Sequence, residues 1–375
     1  MSKTSAGNFF EDFRVGQVLA HGTPRTITDG DASLYVALTG SRFPLHCAAP
    51  AAHAVGFERN TVDDLLAFHV AFGKTVADVS FNAVANLGYA DVRFLATVYP
   101  GDTLRSQSTV IGLKENSSGR NGNVYVRSDT YNQFGDRVLT WARWVMVHKR
   151  DPAAPAPEAV VPALPAVVPV AELPLPAELD GTQYDVSLTG SPHLWEDYAP
   201  GERIDHVNGM TVDSADHTLA TKLYQNNARL HFEERLMADS RFGTRLMYGG
   251  HVISIARALS FNGLANALRI AAINAGTHCN PAFAGDTFYA WTEVLERWEL
   301  PGRADLGALR LRTIAVRNAA TEDIADAKVE REGRSVYRDE VVLDLDYTVL
   351  MPRRGRPRRR AVRASRMRRA PSRGG

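Results

Sequence analysis

The chain repeats itself at long range. FEDFRVG at residues 10–16 returns as WEDYAPG at residues 195–201, and the same offset of 185 pairs Asp31 with Asp216, Leu38 with Leu223 and His46 with His231. Further along, SFNAVANL (80–87) resembles SFNGLANAL (260–268) at an offset of 180, and PGDTL (100–104) resembles AGDTF (284–288) at 184. Two diverged copies of one domain, differing slightly in loop length, account for the pattern. With 375 residues, 45% of them hydrophobic, the chain can bury a core in each copy.

Between the copies runs DPAAPAPEAVVPALPAVVPVAELPLPAEL, whose prolines favour an extended, semi-rigid spacer over a packed helix. The expected division is a first copy at 1–150, a Pro/Ala-rich linker at 151–180, a second copy at 181–351 and an Arg-rich disordered tail at 352–375. That tail holds eleven of the 43 basic residues and no acid, so the body carries 32 bases against 42 acids. Such a body is not a nucleic-acid surface, although the tail would stick to any polyanion. No signal-like apolar run opens the sequence and no stretch of about 18 apolar residues occurs, so a soluble cytoplasmic protein is expected, with no membrane partner. Cys47 and Cys279 are too few for a disulfide framework or a thiolate metal site and read as small core residues.

Within the first copy a strand is expected near 16–27, then a helix introduced by TDGD at 28–31 with Asp29 as its cap, and a second helix over about 63–79. Alternating or apolar runs follow near 87–99, 103–113, 123–132 and 137–148, parted by glycine-containing turns. This order predicts an α+β fold, one long helix wrapped by an antiparallel sheet. The second copy repeats it, with its long helix at about 250–268 and final strands at 308–316 and 337–351.

Three features recur at matching places. Each copy sets a polar residue five before a histidine, Ser41 and His46 in the first and Asn226 and His231 in the second, a spacing that can hold one water between two side chains. An isolated histidine of this kind is more often structural. The second copy opens its long helix with MYGGH, where the backbone N–H groups of Gly249 and Gly250 can meet an oxyanion or the glycines can merely permit a tight turn. The first copy is expected to carry Phe68, His69 and Val70 there. The GDT turns at 101–103 and 285–287 read as structural. Arg42, Arg229, Arg235 and Arg245 can bind phosphate groups or a carboxylate, and Arg229 stands two residues from His231.

YVALTGSRFPLH at 35–46 resembles the hydratase motif of the MaoC-like family through Thr39, Gly40, Pro44 and His46, with Ser41 and Phe43 in place of an aspartate and an asparagine. In LYQNNARLH at 223–231 the histidine is kept, Asn226 holds the aspartate position and Arg229 the proline position. Over roughly residues 7–354, through GNFFEDFRVGQ, HGTPRTITDGD, FHVAFGKTVADVS, ANLGYADVRF, RWVMVHKRDP, YGGHVISIARALSFNGLANAL and DYTVLMPRRG, the chain is similar to the mesaconyl-CoA hydratases, or β-methylmalyl-CoA dehydratases.

The resemblance implies a tandem (double) hot-dog fold and reversible hydration of mesaconyl-CoA (2-methylfumaryl-CoA) to β-methylmalyl-CoA, in the ethylmalonyl-CoA route. It implies no metal and no cofactor beyond the coenzyme A of the substrate. Water would add β to the thioester, His231 would exchange the proton, and the Gly250 N–H would meet the enolate charge. Asn226 can hold a water but cannot take its proton. Arg229 would grip the substrate's free carboxylate. The first copy would supply binding surface through Ser41 and His46, with His46 and His69 open as catalysts. An acyl-CoA thioesterase and a non-catalytic acyl-CoA-binding protein remain alternatives, and the residues leave open whether two chains form a homodimer.

Overall fold

The computed structural model describes residues 3–355, and the elements run in two matching series. The first holds β1 (Val18–Ala20), β2 (Arg25–Thr26), α1 (Asp29–Thr39), α2 (Pro44–Cys47), α3 (Ala49–Ala54), α4 (Asp64–Thr75), β3 (Ala83–Phe94), β4 (Thr103–Glu115), β5 (Asn121–Tyr131) and β6 (Arg137–His148). The second holds β7 (Arg203–Asp205), β8 (Met210–Thr211), α5 (Ser214–Leu223), α6 (Glu234–Ala238), α7 (Gly249–Leu259), α8 (Phe261–Leu264), β9 (Arg269–His278), β10 (Thr287–Glu299), β11 (Leu306–Arg317), the β12 (Lys328–Arg331) and β13 (Arg334–Tyr337) hairpin, and β14 (Val341–Pro352).

All the strands except that hairpin join one twelve-stranded antiparallel sheet in the order β1-β4-β5-β6-β3-β9-β14-β11-β10-β7, with β2 on β4 and β8 on β10. The copies meet in the middle, where β3 pairs with β9 in the register Tyr89↔Gly276 to Arg93↔Ala272. Strand β5 alternates buried and half-buried residues along its whole length, the period that seats one face on a core. The sheet curls round α4 and α7. Every residue of α4 is buried, as is every residue of α7 after Gly249, so these largely apolar helices are covered on all sides by the sheet and by each other's copy. A single core cluster draws on both copies.

Several boundaries differ from expectation, each for a local reason. Thr28, not Asp29, caps α1: its hydroxyl accepts from the Asp31 N–H while Asp31 reaches back to the Thr28 N–H. The long helix of the first copy ends at Thr75 and continues as a π-helical turn, Val76–Ser80. That of the second ends at Leu259, because Asn262 and Gly263 leave helical geometry and Gly263 has φ +115°. The SFN likeness is therefore not a structural equivalence: Ser80 lies three residues before β3, whereas Ser260 lies nine before β9.

The proline-rich segment is extended but packed. The Val160 N–H bonds to the Leu113 carbonyl, the Val168 N–H bonds to the Asn274 side chain, and Val168, Leu173 and Leu179 are buried beneath α3 and the second-copy strands. Arg353 and Arg354, expected to open a disordered tail, are ion-paired with Glu196, Glu299 and Asp197, so the fold runs to residue 355. The rest of the tail lies outside the described residues. Cys47 is exposed at the end of α2 and Cys279 is half-buried, so neither is a core residue. Among the described residues, no helix is long and apolar enough to cross a membrane.

Candidate active site

His46 and His231 occupy the same place in their copies. The His46 Nδ1 lies 3.2 Å from the Thr61 carbonyl oxygen, and the His231 Nδ1 2.9 Å from that of Leu246, fifteen residues on in both cases. Matched backbone bonds follow: Thr61 N–H to Leu45 and Leu246 N–H to Leu230, then Val62 N–H to Val98 and Met247 N–H to Ala282. The offset of 185 thus persists into the long helices. The first-copy counterparts of Gly249 and Gly250 are Asp64 and Leu65, not the Phe68–His69–Val70 stretch that the SFN likeness suggested.

This correspondence exposes a difference in chemistry. At the start of α4 the Asp63 carboxylate accepts from the Leu65 N–H. Asp64 adds a second acid to the first turn and is locked to the Arg269 guanidinium, with its Oδ2 accepting from the Ile270 N–H at 3.0 Å. That helix end is filled by its own chain. At the start of α7 there is neither a side-chain cap nor an acid in the first turn. The Gly249 and Gly250 amides are first-turn groups without an acceptor inside the helix, the arrangement that receives an anion. Neither glycine has positive φ, so a tight turn does not require them. Space does: a Cβ on Gly249 would lie 2.5 Å from the His278 ring, and one on Gly250 2.4 Å from the Tyr248 ring.

His231 is buried with its ring 5.5 Å from that of Tyr248, the residue before Gly249, and 6.3 Å from that of His217. A carbonyl can only accept, so Leu246 fixes the proton on Nδ1 and leaves Nε2 with its lone pair. Among the described residues Nε2 has no protein partner. Burial pushes the group down to about 4, which keeps the imidazole neutral near pH 7 with its Nε2 lone pair exposed to a ligand.

Asn226 is buried and its Oδ1 accepts from the Ala228 N–H at 3.0 Å, a local turn that shapes the loop into His231 and leaves the amide Nδ2 as the free end. Beside it opens a cleft of about 490 Å³ between the copies, lined by Gly22, Thr23, Gly73, Lys74, Asn226 and Phe232 among others. Gly73 lets the loop close on α4, since a Cβ there would meet the Tyr224 carbonyl oxygen at 2.1 Å.

The other expected residues separate. Arg229 is exposed, with its guanidinium 4.9 Å from the Phe81 ring centroid, outside the cleft lining. Arg245 is tied to Glu234, Thr218 and Ser214, Arg42 lies over the Phe261 ring, and Arg235 is exposed on α6. In the first copy His46 Nε2 faces the Asp63 carboxylate at 3.9 Å, and the buried Ser41 Oγ has no partner among the described residues. Phe43, at the position of Ala228, fills the space there against Arg257 and Phe261. His69 bridges the copies through Ser254 Oγ at 2.9 Å. The Asp102 and Asp286 carboxylates accept from the Tyr99 and Phe283 N–H groups, so both GDT turns are structural.

Sequence reasoning missed Tyr248, His251, His278, His217, Tyr224 and Lys74. His251 Nδ1 meets the Tyr224 hydroxyl at 3.1 Å and His278 Nε2 the Tyr89 hydroxyl at 3.0 Å, so a shell of tyrosines and neutral histidines surrounds the helix start. MYGGH offered a partial signal, because its tyrosine and histidine flank the two glycines. One other arrangement invites a catalytic reading: His21 joins the Asp78 carboxylate (2.8 Å) to Ser108 Oγ (2.7 Å). Its second-copy counterpart joins His206 to the Asn262 carbonyl and Thr292, and Ser108 is fully buried, so this chain ties β4 and β10 to their neighbours and presents no nucleophile.

The model of the mesaconyl-CoA hydratase family matches residues 2–327. The chain is 56% identical to a β-methylmalyl-CoA dehydratase of Chloroflexus aurantiacus, over 94% of its own length and 99% of the relative's. The chain belongs to the mesaconyl-CoA hydratase family. A mesaconyl-CoA hydratase of Cereibacter sphaeroides is 54% identical over 94% of this chain and the whole of the relative. A crystal structure of a MaoC domain protein dehydratase from Chloroflexus aurantiacus superimposes on 95% of the chain with a TM-score of 0.91 and 56% identity, covering all of that structure. A Mycobacterium tuberculosis protein with a double hot-dog fold matches 92% of the chain at a TM-score of 0.71 and 24% identity, covering 98% of that structure. The hydratase family's fold is thus the tandem hot-dog described above.

Proposed function

We propose that this chain reversibly hydrates mesaconyl-CoA to β-methylmalyl-CoA at one site, built by the second copy and roofed by the first. Family membership gives the reaction. The observation that supports this site is the contact between His231, a neutral imidazole with a free Nε2, and Tyr248, which leads into the uncapped start of α7.

In the hydration direction His231 Nε2 takes a proton from water as its oxygen adds to the carbon β to the thioester. The thioester oxygen gains enolate charge and meets the Gly250 N–H, with the Gly249 N–H beside it. The α carbon then takes the proton that His231 gained, so one water is added across the double bond and the imidazole returns to its neutral form. In reverse, His231 takes the α proton and delivers it to the departing hydroxide. Asn226 Nδ2 donates a hydrogen bond in the cleft and exchanges no proton. Ser41 and His46 belong to the filled counterpart, and Arg229 lies outside the cleft.

Incubation with mesaconyl-CoA tests this, following enoyl-thioester absorbance alongside free thiol. Absorbance loss without thiol is expected. Thiol release would mean a thioesterase, and binding without turnover a non-catalytic acyl-CoA-binding protein.

A further inference from the structure

Mesaconyl-CoA differs from an ordinary enoyl-CoA by a free carboxylate, attached to the very carbon that accepts the water. Whatever holds that carboxylate must stand beside the groups that hold the water. Arg229 does not, since its guanidinium lies on Phe81, outside the cleft. Lys74 comes from the far end of α4 in the first copy and lines the same cleft as Asn226, whose loop leads into His231.

The Lys74 ammonium is buried and makes no ion pair among the described residues. It donates to the Thr23 carbonyl at 2.5 Å and to Gln225 Oε1 at 3.4 Å, leaving one of its three N–H donors uncommitted. The nearby charges are otherwise engaged: Arg25 with Asp31, and Asp78, also in the cleft lining, with His21. Burial, helped by the positive charge of Arg25, lowers Lys74 to about 8. An anion in the cleft would reverse that shift.

Asn226 fits the same ligand. With Oδ1 held by the Ala228 N–H, its free end is a donor. An aspartate at this position would repel a carboxylate, whereas an amide N–H welcomes one. The counterpart of Lys74 in the second copy is the buried Leu259, so the cation stands on one side only.

We propose that Lys74 and the Asn226 amide together receive the free carboxylate of the acyl group, which makes Lys74 the residue that selects a dicarboxylic thioester over a plain enoyl-CoA. The proposal rests on the hydration reading above and adds a specificity determinant to it.

The test uses the full chain, with the KM for mesaconyl-CoA set against the inhibition constant of crotonyl-CoA, which lacks the carboxylate. In Lys74→Met the first rises about thirtyfold or more, the scale of a lost charge-assisted hydrogen bond. The second moves by less than about threefold. Lys74→Arg, which keeps the charge, restores part of the difference. In the unmutated enzyme kcat/KM for mesaconyl-CoA falls as the pH passes about 8, and in Lys74→Arg that fall disappears. The last comparison needs no folded Lys74→Met. Equal losses on both thioesters would overturn the proposal, because the cation would then serve coenzyme A phosphates or the Thr23 loop; so would no change on either. Failure of the unmutated chain to hydrate mesaconyl-CoA would instead overturn the hydration reading itself.

Discussion

Asp64 opens the long helix of the first copy at the place where Gly249 opens that of the second, and its carboxylate is bonded to Arg269 from the neighbouring copy. One residue turns a potential anion site into a strut between halves. Asp64→Leu strands a buried guanidinium and should lower stability by about 3–5 kcal/mol. Adding Arg269→Met should recover much of the loss, as urea unfolding of the single and double variants would show. An unchanged midpoint in Asp64→Leu would mean that the pair contributes nothing.

His231→Ala should reduce kcat by about a thousandfold, within the range of positioned acid–base groups. His46→Ala, in the filled copy, should change it by less than about threefold if the folded fraction is preserved. Parallel rate measurements decide it, and a reversed ranking would move the reaction to the first copy.

Gly250→Ala should lower kcat by about a hundredfold, the cost of disturbing one oxyanion donor, while KM changes little. The added methyl drives into the Tyr248 ring rather than straining the backbone. Alanine keeps the N–H, so a normal kcat would mean that the Tyr248 ring gives way without moving the amide.

Acid should act on stability and on rate together. Burial holds His206, His231 and His251 at about 4 and His217 at about 3, below the ordinary 6.5 of an unfolded histidine. The unfolded chain therefore takes up protons first as the pH falls. Stability is complete above about 6.5 and is lost progressively down to about 4, by roughly 3 kcal/mol for each histidine held at about 4. Melting temperatures across that window should fall steeply, and kcat/KM should keep an acid limb near 4 set by His231. A limb near 6.5 would show that His231 is solvated when it works.

The sequence made the sheet and the long helices legible because residues 121–131 alternate with period two, residues 137–148 form a largely apolar run, and the copies echo each other. His231 stood out as a candidate because it repeats His46, and Gly250 through the MYGGH stretch, which has no echo in the first copy. The first-copy partner of the glycines was misplaced, since a chance SFN likeness at offset 180 competed with the true offset of 185. Lys74 was hidden for a different reason. It sits 152 residues before Asn226, inside an apolar run that reads as ordinary core helix, and only the packing of α4 on the second copy brings the two together. The Asp64–Arg269 contact is equally non-local, so no spacing rule reaches it.

Joining β3 to β9 within one polypeptide has a consequence for inheritance. In a dimer of identical subunits every substitution is made twice, so a lysine that improves one chamber is forced on its mirror image. Here a single codon alters one chamber alone. The second half could specialise in chemistry while the first was free to become its scaffold.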